Sequence, residues 1–197
     1  MPGVVITTAV RTGPSADTVR DSSQAFFVGL ALRGPEEKAT LVTSIADFEA
    51  QYGGYQSYAY LHPTIETFFE EGGTQCYVVR VVGPSATEGK HKLLDSSSGD
   101  SMQLTAVGPG DWSANMTFTV EAGTVASSVI LKLLYYNVQV FTSGNCTTVD
   151  QVIGKINGSA VASKYVTASS LGTNLPAALA STALTYSDQP TGGTTAS

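Results

Sequence analysis

Two nearly unbroken apolar runs constrain this chain more than any other feature. The first, Ala25-Phe26-Phe27-Val28-Gly29-Leu30-Ala31-Leu32, stops at Gly34-Pro35. The second, Gln75-Cys76-Tyr77-Val78-Val79-Arg80-Val81-Val82, stops at Gly83-Pro84. Short runs rich in β-branched and aromatic residues, bounded by Gly and Pro, predict strands buried on both faces. Two helical patterns lie between them. Ser44 is placed as an N-cap with Asp47 three residues on, close to a capping box. Ile45, Phe48 and Tyr52 form one stripe, stopped by Gly53-Gly54. In the next pattern Pro63 occupies the first turn, Leu61, Ile65, Phe68 and Phe69 share a face, and Gly72-Gly73 ends it. Thr40-Leu41-Val42-Thr43 adds a short strand. Residues 24–82 therefore predict an α/β layer of strand, helix, helix and strand.

The flanking segments differ. Residues 1–23 are polar after Val4-Val5-Ile6 and predict an extended N-terminal arm with one strand. Residues 83–100 are rich in Ser, Gly and charge and predict an exposed polar loop. Residues 101–170 predict a β-rich portion with one helix. Its strands fall at 102–107, 116–121, 129–135, 138–141 and 165–167. Tyr136-Asn137 makes a hairpin turn, and Thr148 caps a helix carrying Val149, Val152, Ile153 and Ile156. Residues 171–197 predict a Thr-, Gly- and Ser-rich linker or tail, plainest over Ser187–Ser197. The fold class is thus mixed, α+β, and one core or two is left open.

Composition removes several function classes. The net charge is −6, with only ten Lys plus Arg among 197 residues, so nucleic acid is not an expected partner. No apolar run approaches the ~20 residues that span a bilayer, so no membrane role is expected. Met1–Arg11 lacks a basic stretch leading into an apolar core; the chain is expected to be made and kept in a cytoplasm. Charged residues make up 13% of the chain, about half the usual share, which suits a surface covered by neighbours.

No residues assemble into a site for chemistry. Gly83 to His91 imitates a phosphate-binding loop, but five residues separate its glycines, Pro84 removes one N–H, and His91 stands where the hydroxyl belongs. An exposed loop is the better reading. His62, His91, Cys76 and Cys146 lack zinc-ligand spacing, and the cysteines read as two buried thiols. The pairs Glu36-Glu37 and Glu70-Glu71 are adjacent and diverge on a helix. No catalytic, cofactor or metal residues are expected, and the chain is read as not an enzyme. Arg80 stands out, because a charge inside an apolar strand is costly unless paired. It predicts a structural ion pair with a carboxylate inside the fold, or a snorkelling position at the strand end.

Several segments, in order, resemble the sheath proteins of contractile phage tails and related contractile injection systems. They are Pro2-Gly3-Val4-Val5; Ala25-Phe26-Phe27-Val28-Gly29 with Arg33-Gly34-Pro35; and Val42-Thr43-Ser44 with Asp47-Phe48 and Tyr52-Gly53-Gly54. The most specific is Phe68-Phe69, Gly72-Gly73 and Cys76-Tyr77-Val78-Val79-Arg80-Val81. Pro109-Gly110 with Trp112 and Asn115, the hairpin at Tyr135-Tyr136-Asn137, and Ile156-Asn157-Gly158-Ser159 also fit. The resemblance implies a structural subunit that self-assembles into helical rings around a tail tube, with copies of itself and the tube protein as partners. It implies a place in a virion tail assembled in a bacterial host cytoplasm, and no cofactor. It makes Val4, Val5 and Ile6 the inter-subunit arm, adding a strand to a neighbour. The alternative is a sheath-derived virion decoration or binding domain that does not contract.

Overall fold

The computed structural model describes residues 24–184, so the arm with Val4, Val5 and Ile6 and the stretch Ser187–Ser197 lie outside the described residues. The fold is mixed α and β. Its first unit holds β1 (Ala25–Gly29), β2 (Thr40–Val42), α1 (Ile45–Tyr52), α2 (Leu61–Glu70) and β3 (Cys76–Arg80). The strands form one sheet in the order β1-β3-β2, with β1 parallel and β2 antiparallel to β3. The two helices cover one face of it. Ser44 caps α1, its hydroxyl accepting from the Asp47 amide at 3.1 Å, and Gly53 ends α1 at a φ of 86° that favours glycine. Phe48, Tyr52, Leu61 and Ile65 drop from the helices onto Cys76 and Val78 of β3. The Tyr52 hydroxyl donates to the Val78 carbonyl at 3.2 Å, fixing α1 to the sheet.

The second unit holds β4 (Lys90–Leu94), β5 (Asp100–Ala106), β6 (Met116–Ala122), β7 (Val129–Tyr135), β8 (Val138–Thr142), α3 (Val149–Asn157), β9 (Val166–Ser170) and β10 (Leu179–Ala183). Two antiparallel sheets result, β10-β6-β7-β8 and β4-β5-β9. Tyr136 and Asn137 both take positive φ, 49° and 62°, so the β7–β8 hairpin turns through the mirror-image geometry that matches strand twist. The Thr148 hydroxyl accepts from the Gln151 amide at the start of α3. Val149, Val152 and Ile156 of α3 join Trp112, Phe118 and Leu131 in the larger of two cores.

Two segments differ from expectation. The stretch 83–100, read as a polar loop, contains β4, and the stretch 171–197, read as linker or tail, contributes β10. Both are edge strands paired on one side only and half open to solvent, so neither needs an apolar pattern of its own. The turn after β4 is built around Asp95. Its carboxylate accepts from the Ser97 and Gly99 amides, both at 2.8 Å, and from Asn174 Nδ2 at 2.7 Å. These bonds, the one from Asn174 first, hold the carboxyl below its ordinary pKa of 3.8. The stability it contributes is therefore complete above that value and is lost as pH falls through the lower folded one. An Asp95→Asn chain is expected to have a lower urea midpoint than wild type at neutral pH, with the gap closing in acid. A gap that stays constant with pH would assign the effect to lost packing instead.

Beside β9 a side chain does the work of backbone. Asn157, the last residue of α3, donates through Nδ2 to the Ala168 carbonyl and accepts through Oδ1 from the Ala168 amide, both at 2.8 Å. It satisfies the outward amide and carbonyl of Ala168, on the side of β9 away from β5.

Candidate assembly interface

The sheet of the first unit has a second face, opposite the helices. Strand residues alternate between faces, so the register fixes which side chains stand there. Ala25, Phe27, Cys76, Val78 and Val42 face the helices. Phe26 and Val28 of β1, Tyr77 and Val79 of β3, and Leu41 of β2 face away. Phe26, Tyr77 and Leu41 lie in one row across the three strands. The Phe26 and Tyr77 rings stack with centroids 5.0 Å apart and planes inclined by 14°. Phe26 is 61% exposed, Val28 66% and Leu41 41%. None of these outward positions is charged.

The expectation that both faces would be buried is therefore corrected: among the described residues only the helix side is covered. The two runs are apolar on both faces; one face packs on the helices and the other is open to solvent. A contiguous uncharged patch of this kind marks an interaction surface, whereas single exposed apolar residues are ordinary. The patch continues to the outer edge of β1, which has one strand neighbour, β3. A recess of about 270 Å³ runs beside that edge, lined by Val28, Leu30, Tyr58, Tyr60 and Thr64. Tyr60 is 85% exposed on its rim. An open strand edge beside an apolar face is the geometry that accepts an added strand.

Arg80 lies on the helix side and is fully buried. Its guanidinium donates to four carbonyls: Nε to Ala31 at 2.9 Å, Nη1 to Gly34 at 3.0 Å, and Nη2 to Pro109 at 2.8 Å and Leu32 at 3.4 Å. The expected carboxylate partner is replaced by this carbonyl fan; among the described residues no ion pair includes Arg80. Burial lowers its pKa to about 10, opposed chiefly by the negative charge of Glu36, so it stays cationic at neutral pH. Lys90 and His91 belong to β4, with the His91 ring against Phe118 at 4.9 Å, and no helix follows the Gly83–Gly89 stretch. His62 packs edge-on against Phe48 and shares a 2.9 Å contact with Glu49 Oε1. Cys76 and Cys146 are buried thiols in separate cores. Among the described residues no group of three or more His, Cys, Asp or Glu is placed to hold a metal ion.

A sheath tail protein from Listeria innocua superposes with a TM-score of 0.56 at 15% identity, over 87% of this chain and 34% of its own length. The chain shares its fold with sheath tail proteins. A second, from Desulfitobacterium hafniense, gives a TM-score of 0.50 at 14% identity, over 89% of this chain and 37% of its own. The chain thus spans about a third of the length of the sheath tail proteins it matches. No family model and no curated protein matches it.

Sequence reasoning singled out Arg80 but missed Phe26, Val28, Tyr77, Val79 and Leu41 as surface residues. The signal was present. A strand whose second face has no polar residue, in a sheet with helices for one face only, has an apolar face left over.

Proposed function

We propose that this chain is a structural subunit of a contractile tail sheath, assembling with copies of itself in helical rings around a tail tube. The observation that carries the reading is the uncharged outward face of β1-β3-β2 with its open β1 edge, on a fold that sheath tail proteins share. The face supplies the surface that another subunit covers, and Val4, Val5 and Ile6 supply a strand that reaches a neighbour. The tube protein is the second partner, and the site of action is the tail of a virion assembled in a bacterial host. The low share of charge suits a chain enclosed by neighbours, and no enzymatic role is part of the proposal.

A second reading is a sheath-derived decoration or binding domain that does not contract. The β-rich second unit, with its own core, favours it. Cryo-electron microscopy of native particles separates the two. Copies in a helical lattice around a tube, with residues 1–23 traced onto a neighbour, are the expected result. A chain placed singly on a capsid or a tail tip would overturn it in favour of the second reading.

A further inference from the structure

The two units have separate cores. Val42, Phe48, Tyr52, Ile65, Cys76 and Val78 pack in one, and the larger core gathers around Phe118 and Leu131. Every pair of elements that packs extensively lies within one unit or the other. What crosses between them is mainly polar. Arg80 leaves the end of β3 in the first unit and binds, in one guanidinium, three carbonyls of the 31–34 turn and the Pro109 carbonyl of the second unit. Arg33, on that same turn and only 4% exposed, donates through Nη2 to the last carbonyls of α1, Glu49 at 3.1 Å and Ala50 at 2.8 Å. Its cation lies over rings of the second unit, 4.3 Å from the Tyr165 centroid and 5.7 Å from that of Tyr135. The turn carrying Pro109 comes so close that a Cβ at Gly108, which has a φ of 85°, would collide with the Gly34 carbonyl. Leu32, packed against the larger core, and a half-buried pair between Lys164 and Asp47 at 3.5 Å complete the joint.

We infer that Arg80 and Arg33 form a latch that makes two separately packed units one rigid body, and that the Gly34–Gly108–Pro109 contact is where the units part when the latch fails. A planar guanidinium with five donors joins carbonyls from two turns at once, which a point-charge ammonium does not. Buried carbonyls and a buried cation compensate each other only while the turns stay together. An apolar joint would tolerate sliding; this one holds a single register. The inference does not depend on the assembly proposed above, because it concerns one chain.

Native-state hydrogen exchange on the full chain tests it, reading Cys76–Arg80 of β3 against Met116–Ala122 of β6. In the wild type both sets are expected to exchange through the same opening. Gly108→Ala, which touches neither core, and Arg33→Met are each expected to speed exchange in β3 by about tenfold or more while β6 is unchanged. Arg80→Lys is expected to act in the same direction. If both strands accelerate together, the chain is one cooperative unit with or without the arginines and the latch is refuted. If neither accelerates, or if the wild-type strands already open separately, it is refuted as well. Because Gly108→Ala and Arg33→Met perturb opposite sides of the joint, a failure of one to fold leaves the other to decide.

Discussion

Val28→Lys leaves the single chain folded and abolishes its assembly. Val28 is two-thirds exposed on the outward sheet face, next to an open strand edge. In the isolated chain a lysine there keeps its ammonium in water, and surface changes of this kind shift stability by only about 0.5 kcal/mol. A lysine on an edge strand is also a common guard against pairing. Once a second subunit covers the face, the same charge is buried with no carboxylate beside it. The described outward positions, Phe26, Tyr77, Val79 and Leu41, supply none. An unpaired charge at an interface costs about 2–5 kcal/mol, which weakens association by roughly 30-fold to several thousand-fold at each contact, and a lattice repeats the contact many times. Thermal melts that coincide within a few degrees, together with loss of large species in sedimentation velocity, are the expected pair of results. Assembly as strong as that of wild type measured alongside would remove this face from the interface.

Arg80→Met is expected to cost about 3–5 kcal/mol of stability, the range for leaving one side of a buried charged network without its partner. Methionine keeps most of the stem and its packing, so the loss isolates the guanidinium. Four carbonyls, those of Ala31, Leu32, Gly34 and Pro109, lose the donor they share. Urea denaturation followed by far-ultraviolet circular dichroism, which registers both units, reads the loss, while the fluorescence of Trp112, the single tryptophan, reports the larger core alone. Arg80→Lys is expected to fall between wild type and methionine, since an ammonium has three donors and no fork. A loss below about 1 kcal/mol for Arg80→Met would mean that water or the turns themselves satisfy those carbonyls.

Much of this fold is legible in the residues because local rules and tertiary packing agree there. Ser44, Thr148 and the Gly53-Gly54 stop place two of the helices, and Tyr136-Asn137 places a two-residue hairpin. The strands that escaped, β4 and β10, are edges. Lys90-His91-Lys92 and Ala180-Ser181-Thr182 carry no apolar alternation because each strand borrows its place from its partner, β4 from β5 just after it in the chain and β10 from the distant β6. The candidate interface was hidden for the reverse reason. An apolar run reports that a strand will be covered on both faces without saying by what. Arg80 announced itself as a buried charge, but its partners are peptide carbonyls, which every residue has and no sequence pattern can mark.

Asn157 gives the second unit a property the first lacks. By lending its amide group to Ala168 it occupies the place where a further strand would begin to hydrogen-bond. Neutral Ser- and Thr-rich strands with open borders are at risk of runaway sheet growth towards amyloid. A terminator on β9 closes one route to that fate without adding charge to the surface. Among the described residues the β1 border has no such side chain, and it is the border that adjoins the exposed apolar face.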